Sequence, residues 1–133
     1  MVTIKEDYVS FDLAKLLKEK GFDETCRSYF IDHVDYIDSS YSIEGLTDLN
    51  MGVWETLRPT HQMVMKWLRE VHKIYLNINV RVILGQWAGY DISVYTTDNY
   101  GFLNKNIPIK LKDNISYEQA VETGIKYILE NLI

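Results

Sequence analysis

The residues of this chain that most readily bind metals or act as nucleophiles are three histidines and one cysteine. His61 and His72 lie in a segment with helical periodicity, where their spacing separates them by about 16 Å along the axis. Zinc holds its ligands at about 2 Å, so these two histidines cannot share an ion. We expect both to be exposed helix residues.

His33 lies in an acidic stretch between Asp32 and Asp35, with Cys26 upstream. In an extended segment Asp32 and His33 point to opposite faces, and Cys26 and His33 are an odd number of positions apart. A regular strand would therefore separate the thiol from the imidazole, although a bulge could bring them together as nucleophile and base. The acidic stretch is more typical of a solvated strand edge.

Sequence motifs of common enzymes do not occur in this chain. It contains no GxGxxG or GxxxxGK[ST] loop for phosphate, and no GxSxG, HExxH or CxxC motif. The glycines of the Gly85–Gly89 segment are placed to join one strand to another, whereas a phosphate loop joins a strand to a helix. The sequence predicts no catalytic residue, no metal and no cofactor, and it favours a protein that is not an enzyme.

Size and composition are those of an ordinary globular protein. The 133 residues, 47% hydrophobic and 25% charged, predict a single α+β domain over residues 1–133. A lone cysteine forms no internal disulfide, and the first residues lack the apolar core of a secretory signal. No apolar run reaches the roughly 18 residues of a membrane span. We expect a cytoplasmic protein without a membrane partner.

Charge is unevenly distributed along the chain, although the net charge is only −5. Residues 56–90 carry five cationic side chains and one anionic side chain, that of Glu70. The predicted helix in this segment, followed by a hairpin, resembles the recognition helix and wing of a DNA-binding domain. The acidic total and the lack of a clear preceding helix count against that reading. Nucleic-acid binding by helix 60–73 and hairpin 74–97 is therefore the alternative function, with these candidate contacts: Arg58, Lys66, Arg69, Lys73 and Arg81.

The hydrophobic period changes from about 3.6 to 2 between Pro59 and Thr97. This predicts a helix from Thr60 to about Lys73 and then a strand whose even-numbered residues from 74 to 84 point inwards. The buried stripe predicted for the helix is Met63 or Val64, Trp67, Leu68 and Val71. A turn over Gly85–Gly89, with Trp87 at its tip, leads into the returning strand.

Further elements are predicted by caps and alternation. A helix over 11–20 has Ser10 as its N-cap and Gly21 after its end, and a helix over 116–132 begins with a capping box of Ser116 and Gln119. A strand is predicted over 25–37 with an irregularity near Asp32–Val34, and Pro108 favours an edge position for a short strand over 107–111. Residues 38–58 fit either a short strand near Tyr41–Ile43 or a short helix near Leu46–Trp54. The order predicts an α+β two-layer sandwich. We expect an antiparallel sheet of three to five strands and about three helices, two of them packed on one face.

Ten tyrosines and three tryptophans are many for this length. Some of them are expected on the open face of the sheet, where large rings with a polar group suit a protein interface. These candidate interface residues are Tyr29, Tyr75, Tyr95 and Tyr100. The leading hypothesis is a small non-enzymatic interaction or accessory protein with an unknown protein partner, and one form of this is a homodimer.

Three segments carry a resemblance: VSF-x-x-AKLLKEKGF, then P-T-x-x-M-x-M-x-WLRE-x-H, then SYE-x-A with KY-x-LENLI. In this order they resemble an uncharacterised family of short proteins from anaerobic gut bacteria and their phages, which has no known activity. The resemblance implies an accessory protein encoded by a phage or mobile element. It assigns no catalytic residue.

Overall fold

This computed structural model describes residues 4–24, 26, 28–31, 35–38 and 56–133. The chain forms two compact units, Met1–Met63 and Val64–Ile133, and the boundary falls within the second helix. A single domain over residues 1–133 stays a prediction.

Helix α1, Phe11–Glu19, has the two ends that its sequence predicts. The Ser10 side chain accepts a hydrogen bond from the Leu13 N–H, which caps the start of the helix. At the other end the Phe22 N–H donates to the Leu17 carbonyl and the Gly21 N–H to that of Lys18. Gly21 has a positive φ of 90°. This is the Schellman ending that glycine makes easy, because glycine has no Cβ to clash.

The sheet of the first unit has the strand order β2-β1-β3, with β1 over Ser28–Ile31, β2 over Asp35–Asp38 and β3 over Thr56–Leu57. Both pairings with β1 are antiparallel. The single strand predicted over 25–37 is therefore wrong, since the chain reverses between β1 and β2. His33 and the strand or helix predicted within 39–55 lie outside the described residues.

Helix α2, His61–His72, begins where the sequence predicts it to begin. The Thr60 hydroxyl accepts a hydrogen bond from the Met63 N–H at 3.2 Å. Val64, Trp67 and Leu68 are buried, as their spacing predicts. Val71, the last member of the predicted buried stripe, is 57% exposed, so that part of the prediction is wrong.

The sheet of the second unit has the order β4-β5-β6 and is antiparallel throughout. Its strands are β4 over Ile74–Ile83, β5 over Gln86–Thr97 and β6 over Leu103–Ile109. β6 lies at an edge, as Pro108 predicts, but begins earlier than residue 107. The turn is also earlier than predicted, because residues 86–89 belong to β5.

Helix α3, Tyr117–Asn131, packs on β4 and β5 of this sheet. Ser116 and Gln119 form the predicted capping box. Gly124 is where the helix and sheet meet most closely, because a Cβ there would lie 2.5 Å from Leu76 Cδ1. Glycine has a low helix propensity, and at this position that loss is offset by the close packing of the helix on the sheet.

The α+β class is confirmed. The described strands form two antiparallel sheets, whereas the sequence predicts one. Buried residues of α3 and of the face of β5 that it covers form the core of the second unit: Ile92, Val94, Ala120, Val121, Ile125, Ile128 and Leu129.

Candidate interaction surface

The hairpin of β4 and β5 is covered at its base and bare at its tip. At the base Ile74 is buried, and Leu76 and Ile78 are half-buried on the face that α3 covers. The prediction that the even-numbered side chains of this strand point inwards is therefore wrong from Val80 onwards, where they are exposed. The exposed apolar residues near the tip, which we call the tip surface, are Val80, Val82, Ile83, Leu84 and Trp87.

The position of α3 explains where burial stops. The Tyr90 ring packs edge-on against the Tyr117 ring in the first turn of α3, with 5.5 Å between the ring centroids. Tyr90 lies opposite Val80 in the register of the hairpin. The helix thus begins level with this pair, and the rest of the hairpin extends beyond it.

Leu84 and Gly85 form the two-residue turn of the hairpin. Both have positive φ, 51° and 77°, as the type I′ turn requires. Asn-Gly or Asp-Gly is preferred there, because asparagine and aspartate tolerate the left-handed region better than leucine does. Leu84 is nevertheless 98% exposed, so burial offers no compensation for this conformation. Local rules are broken in this way mostly at functional or strained sites.

A bulge fixes the hairpin to the loop before α3. Ala88 and Gly89 on β5 lie opposite Arg81 alone, and Gly89 has a φ of 109°. The Ala88 carbonyl accepts a hydrogen bond from the Asn114 N–H at 3.1 Å. A Cβ on Gly89 would lie 2.9 Å from the Asn114 nitrogen, so this close approach requires glycine.

Arg81 joins three segments of the second unit. Its side chain is only 9% exposed, and Nε donates to Asp91 Oδ2 at 3.1 Å while Nη2 donates to Asp91 Oδ1. Nη1 donates to Asp113 Oδ1, and Nη2 also donates to the Leu111 carbonyl. Asp91 in turn accepts a hydrogen bond from the Leu111 N–H at 3.1 Å. A planar guanidinium suits this forked arrangement.

This network also shifts the ionisation of its members. The hydrogen bonds from Arg81 lower the pKa of Asp91, while partial burial of the carboxyl opposes them. The hydrogen bond to Asp91 raises the pKa of Arg81. Both groups stay charged at neutral pH. The tip surface is therefore held in place by a charged network and by the bulge.

The four predicted interface tyrosines do not form one surface. Tyr75 and Tyr95 lie directly opposite each other on the face away from α3, and Tyr100 is exposed in the loop between β5 and β6. Tyr29 is only 4% exposed, in the first unit. Its prediction as an exposed contact is wrong, because its side chain is buried.

The five predicted nucleic-acid contacts differ in their exposure and in the contacts that they already make within the protein. Lys66, Arg69 and Lys73 are exposed on α2 or just after it. The Arg58 guanidinium lies 4.0 Å from the centroid of the Tyr8 ring and donates to Ser28 Oγ. Arg81 is wrong as a contact, because its donors are directed to Asp91, Asp113 and Leu111 within the protein.

Cys26, His61 and His72, the described cysteine and histidines that could act as nucleophile, base or metal ligand, have surroundings that suit structural roles. Cys26 is buried, which raises the pKa of its thiol to about 12, with a smaller contribution from Glu24. A thiol with this pKa is a poor nucleophile at neutral pH. His61 is buried, against the expectation of exposure. The His72 ring packs edge-on against Trp67, and burial lowers its pKa.

A groove of about 520 Å³ lies beside the Arg81 network, between the loop of residues 110–115 and the side chains of Gln119 and Thr123. Every side chain that lines it is exposed or half-buried. Ligand pockets usually enclose most of their ligand and combine apolar walls with a few buried polar groups. The groove does not have that character.

Two features of this site were missed by reasoning from the sequence. Leu84 was placed in a strand, although an apolar residue before glycine between two alternating segments is consistent with a two-residue turn. The network around Arg81 was also missed, since Asp113 and Leu111 come from a loop about 30 residues away. The turn at Leu84 could have been found from its neighbours in the sequence, whereas no local sequence pattern indicates the contacts of Arg81 with the distant loop.

Comparisons with known proteins provide no relative for this chain. No protein-family model, no curated protein and no solved structure matches it. In the described ranges, no three His, Cys, Asp or Glu residues lie close enough to hold a metal ion together. None of the helices described has both the length and the apolar composition needed to cross a bilayer. The resemblance to short proteins of gut bacteria and phages stays a prediction.

Proposed function

We propose that this protein is a non-enzymatic interaction module that binds a protein partner through the tip surface. The observation that carries the proposal is Leu84, fully exposed and at positive φ in a turn that favours asparagine. Exposed apolar patches that exceed ordinary scatter mark interaction sites. The partner presents an uncharged and mostly apolar surface, because the exposed side chains around Leu84 are those of valine, isoleucine and tryptophan together with the uncharged Gln86.

Rigidity supports the same proposal. A surface that is ordered before binding loses less conformational entropy when the complex forms. The Arg81 network and the Gly89 bulge order the tip on the side of the loop before α3. Trp87 is also in edge-on contact with Tyr90 at 5.8 Å, so its ring is partly fixed while half of it remains accessible. Aromatic anchors of this kind often dominate binding energy.

The test uses a photo-crosslinking amino acid at position 84, in the full-length chain and in cells that produce it. Position 103 is the matched control, because Leu103 is also an exposed leucine of the same sheet but lies towards the base of the hairpin. We expect protein adducts from position 84 and not from position 103. Equal adducts from both positions, or none from position 84, would contradict the proposal.

A second variant separates binding from folding. Leu84→Asn removes the apolar side chain and suits the positive φ, so it should fold normally while the adducts from a crosslinker at position 87 decrease about tenfold. Leu103→Asn is the control and should leave those adducts unchanged. If Leu84→Asn gives as many adducts as the wild type, the tip surface does not bind the partner.

Nucleic-acid binding is the second candidate, and it rests on the exposed side chains of Lys66, Arg69 and Lys73. Their spacing places them on one side of α2 and the residue after it. DNA retention through these cations would fall steeply between low and moderate salt. Retention that is the same for the wild type and for Lys66→Glu with Arg69→Glu would exclude this candidate.

A further inference from the structure

We infer that a second copy of this chain pairs antiparallel with the outer edge of β4 along Ile74–Val80. This inference goes beyond the proposed function, because Val80 is the one residue of the tip surface that belongs to the paired segment. Its evidence is the difference between the two edge strands of the second sheet, the hydrophobic pattern of β4 and the charges along it.

The two edge strands of the second sheet differ in their protection. An edge strand exposes unpaired backbone N–H and C=O groups, and proteins usually block such an edge with proline or with charged side chains, especially lysine. β6 carries both Lys105 and Pro108. β4 has neither over Ile74–Val80, and in the described ranges it is hydrogen-bonded to β5 alone. The unprotected edge is the one that a further strand can join.

The length of that edge is set by the bulge. Pairing between β4 and β5 is regular from Ile74 to Val80 and shifts before Val82. At about 3.4 Å per residue this regular segment gives an edge of about 24 Å. Asn77 is its central residue, so self-pairing over the whole segment places the twofold axis at Asn77.

The sequence of this segment is complementary to itself. Around Asn77 the axis places Ile74 opposite Val80 and Leu76 opposite Ile78. Apolar residues thus continue on the face of α3, while Tyr75 meets Asn79 on the polar face. Exposed Val80 gains an apolar neighbour. A joining strand needs apolar residues on the first face and uncharged polar residues on the second, and β4 of another copy has both.

The distribution of charge also favours a second copy of this chain as the strand that pairs with the edge of β4. Each copy carries a net charge of −5, so most surfaces of two copies would repel each other. The segment Ile74–Val80 contains no charged residue, and Arg81 next to it is neutralised by Asp91 and Asp113. Within Ile74–Val80, self-pairing therefore brings no charged residues opposite each other. Just beyond this segment the same register places Lys73 opposite Arg81, whose charge is balanced by Asp91 and Asp113.

Asn77 and Asn106 provide a matched pair for the test. Both are exposed asparagines on the face away from α3, one on each edge strand. By sedimentation equilibrium of the purified full-length chain, we expect the wild type to be a dimer. Asn77→Lys places two lysines together at the axis and should weaken dimerisation by about tenfold to a hundredfold. Asn106→Lys should leave the dimer intact.

A charge swap guards against a folding artefact. Asn77→Asp alone should weaken dimerisation to a similar extent, whereas an equimolar mixture of Asn77→Lys and Asn77→Asp should dimerise more tightly than either variant alone. A monomeric wild type, an Asn77→Lys variant that dimerises as tightly as the wild type, or a mixture no tighter than the single variants would each overturn the inference. If the wild type is monomeric but position 84 still crosslinks to another protein, the proposed function stands and only the self-pairing fails.

Discussion

The base and the tip of one hairpin have similar residues and opposite surroundings. At the base, Ile92 and Val94 are buried beneath α3, while Val82, on the same face near the tip, and Leu84, in the turn, are exposed. Both parts contain apolar residues of strand type, so local sequence does not separate them. The difference teaches that a strand face is buried only where another element lies on it.

The largest expected effect tests the base. Ile92→Ala removes a side chain from the core of the second unit and should lower the free energy of unfolding by about 2–5 kcal/mol. Ile83→Ala, in the exposed part of the same hairpin, should change it by less than about 0.5 kcal/mol. Denaturant titration of both variants measures the difference. Similar losses would show that the tip is also packed in solution.

The second prediction concerns the bulge that orders the tip. Gly89→Ala adds a Cβ against the Asn114 backbone and should destabilise the fold by about 1–3 kcal/mol. Gly85→Ala is the control, since its φ is also positive but no atom lies within 4 Å of the added Cβ. Thermal unfolding should therefore show a greater loss for Gly89→Ala. Equal losses would mean that the close approach to Asn114 contributes nothing.

The third prediction is a pH dependence. The pKa of Asp91 lies below its ordinary value of 3.8 because Arg81 stabilises the carboxylate. Its contribution to stability is therefore fully present above pH 3.8 and is lost as the pH falls through the lowered pKa. Arg81→Met should lower the thermal midpoint at pH 7, and its difference from the wild type should shrink below about pH 4. A difference that is constant from pH 7 to pH 3 would contradict this.

The smallest expected effect concerns the turn itself. Leu84→Asn should leave stability unchanged or raise it by up to about 1 kcal/mol, because asparagine is favoured at this φ. The same variant loses partner adducts if the proposed function holds. If Leu84→Asn loses binding while its stability does not fall, Leu84 serves binding and is not required for folding. A clear loss of stability would instead give Leu84 a structural role.

Predictions from the sequence succeeded where the determinants are local. Ser10, Gly21, Thr60 and Ser116 act on backbone groups within a few residues, and each lies where its cap or turn requires. The strand periodicity of β4 was also correct through Ile78. These results depend on the geometry of a few consecutive residues, which short segments of sequence specify well.

Predictions failed where burial depends on distant segments. Val71, Tyr29 and His61 were each assigned the wrong exposure, because a hydrophobic pattern indicates which residues share a face but not what covers that face. The reversal between β1 and β2 was missed for a related reason, since one continuous strand and two short strands have the same composition. Arg81 was assigned to nucleic acid in part because Asp113, one of its two carboxylate partners, is 32 residues away along the chain.

The amino-acid sequence by itself determined the α+β class, the helix ends and the alternation of the hairpin, because these follow from local backbone geometry and side-chain periodicity. Only the tertiary structure decided which part of that hairpin is core and which part is surface. The reason is that α3 begins level with Tyr90 and leaves the residues beyond it uncovered. The position of one helix relative to one strand thus separates the core of this unit from its proposed binding surface.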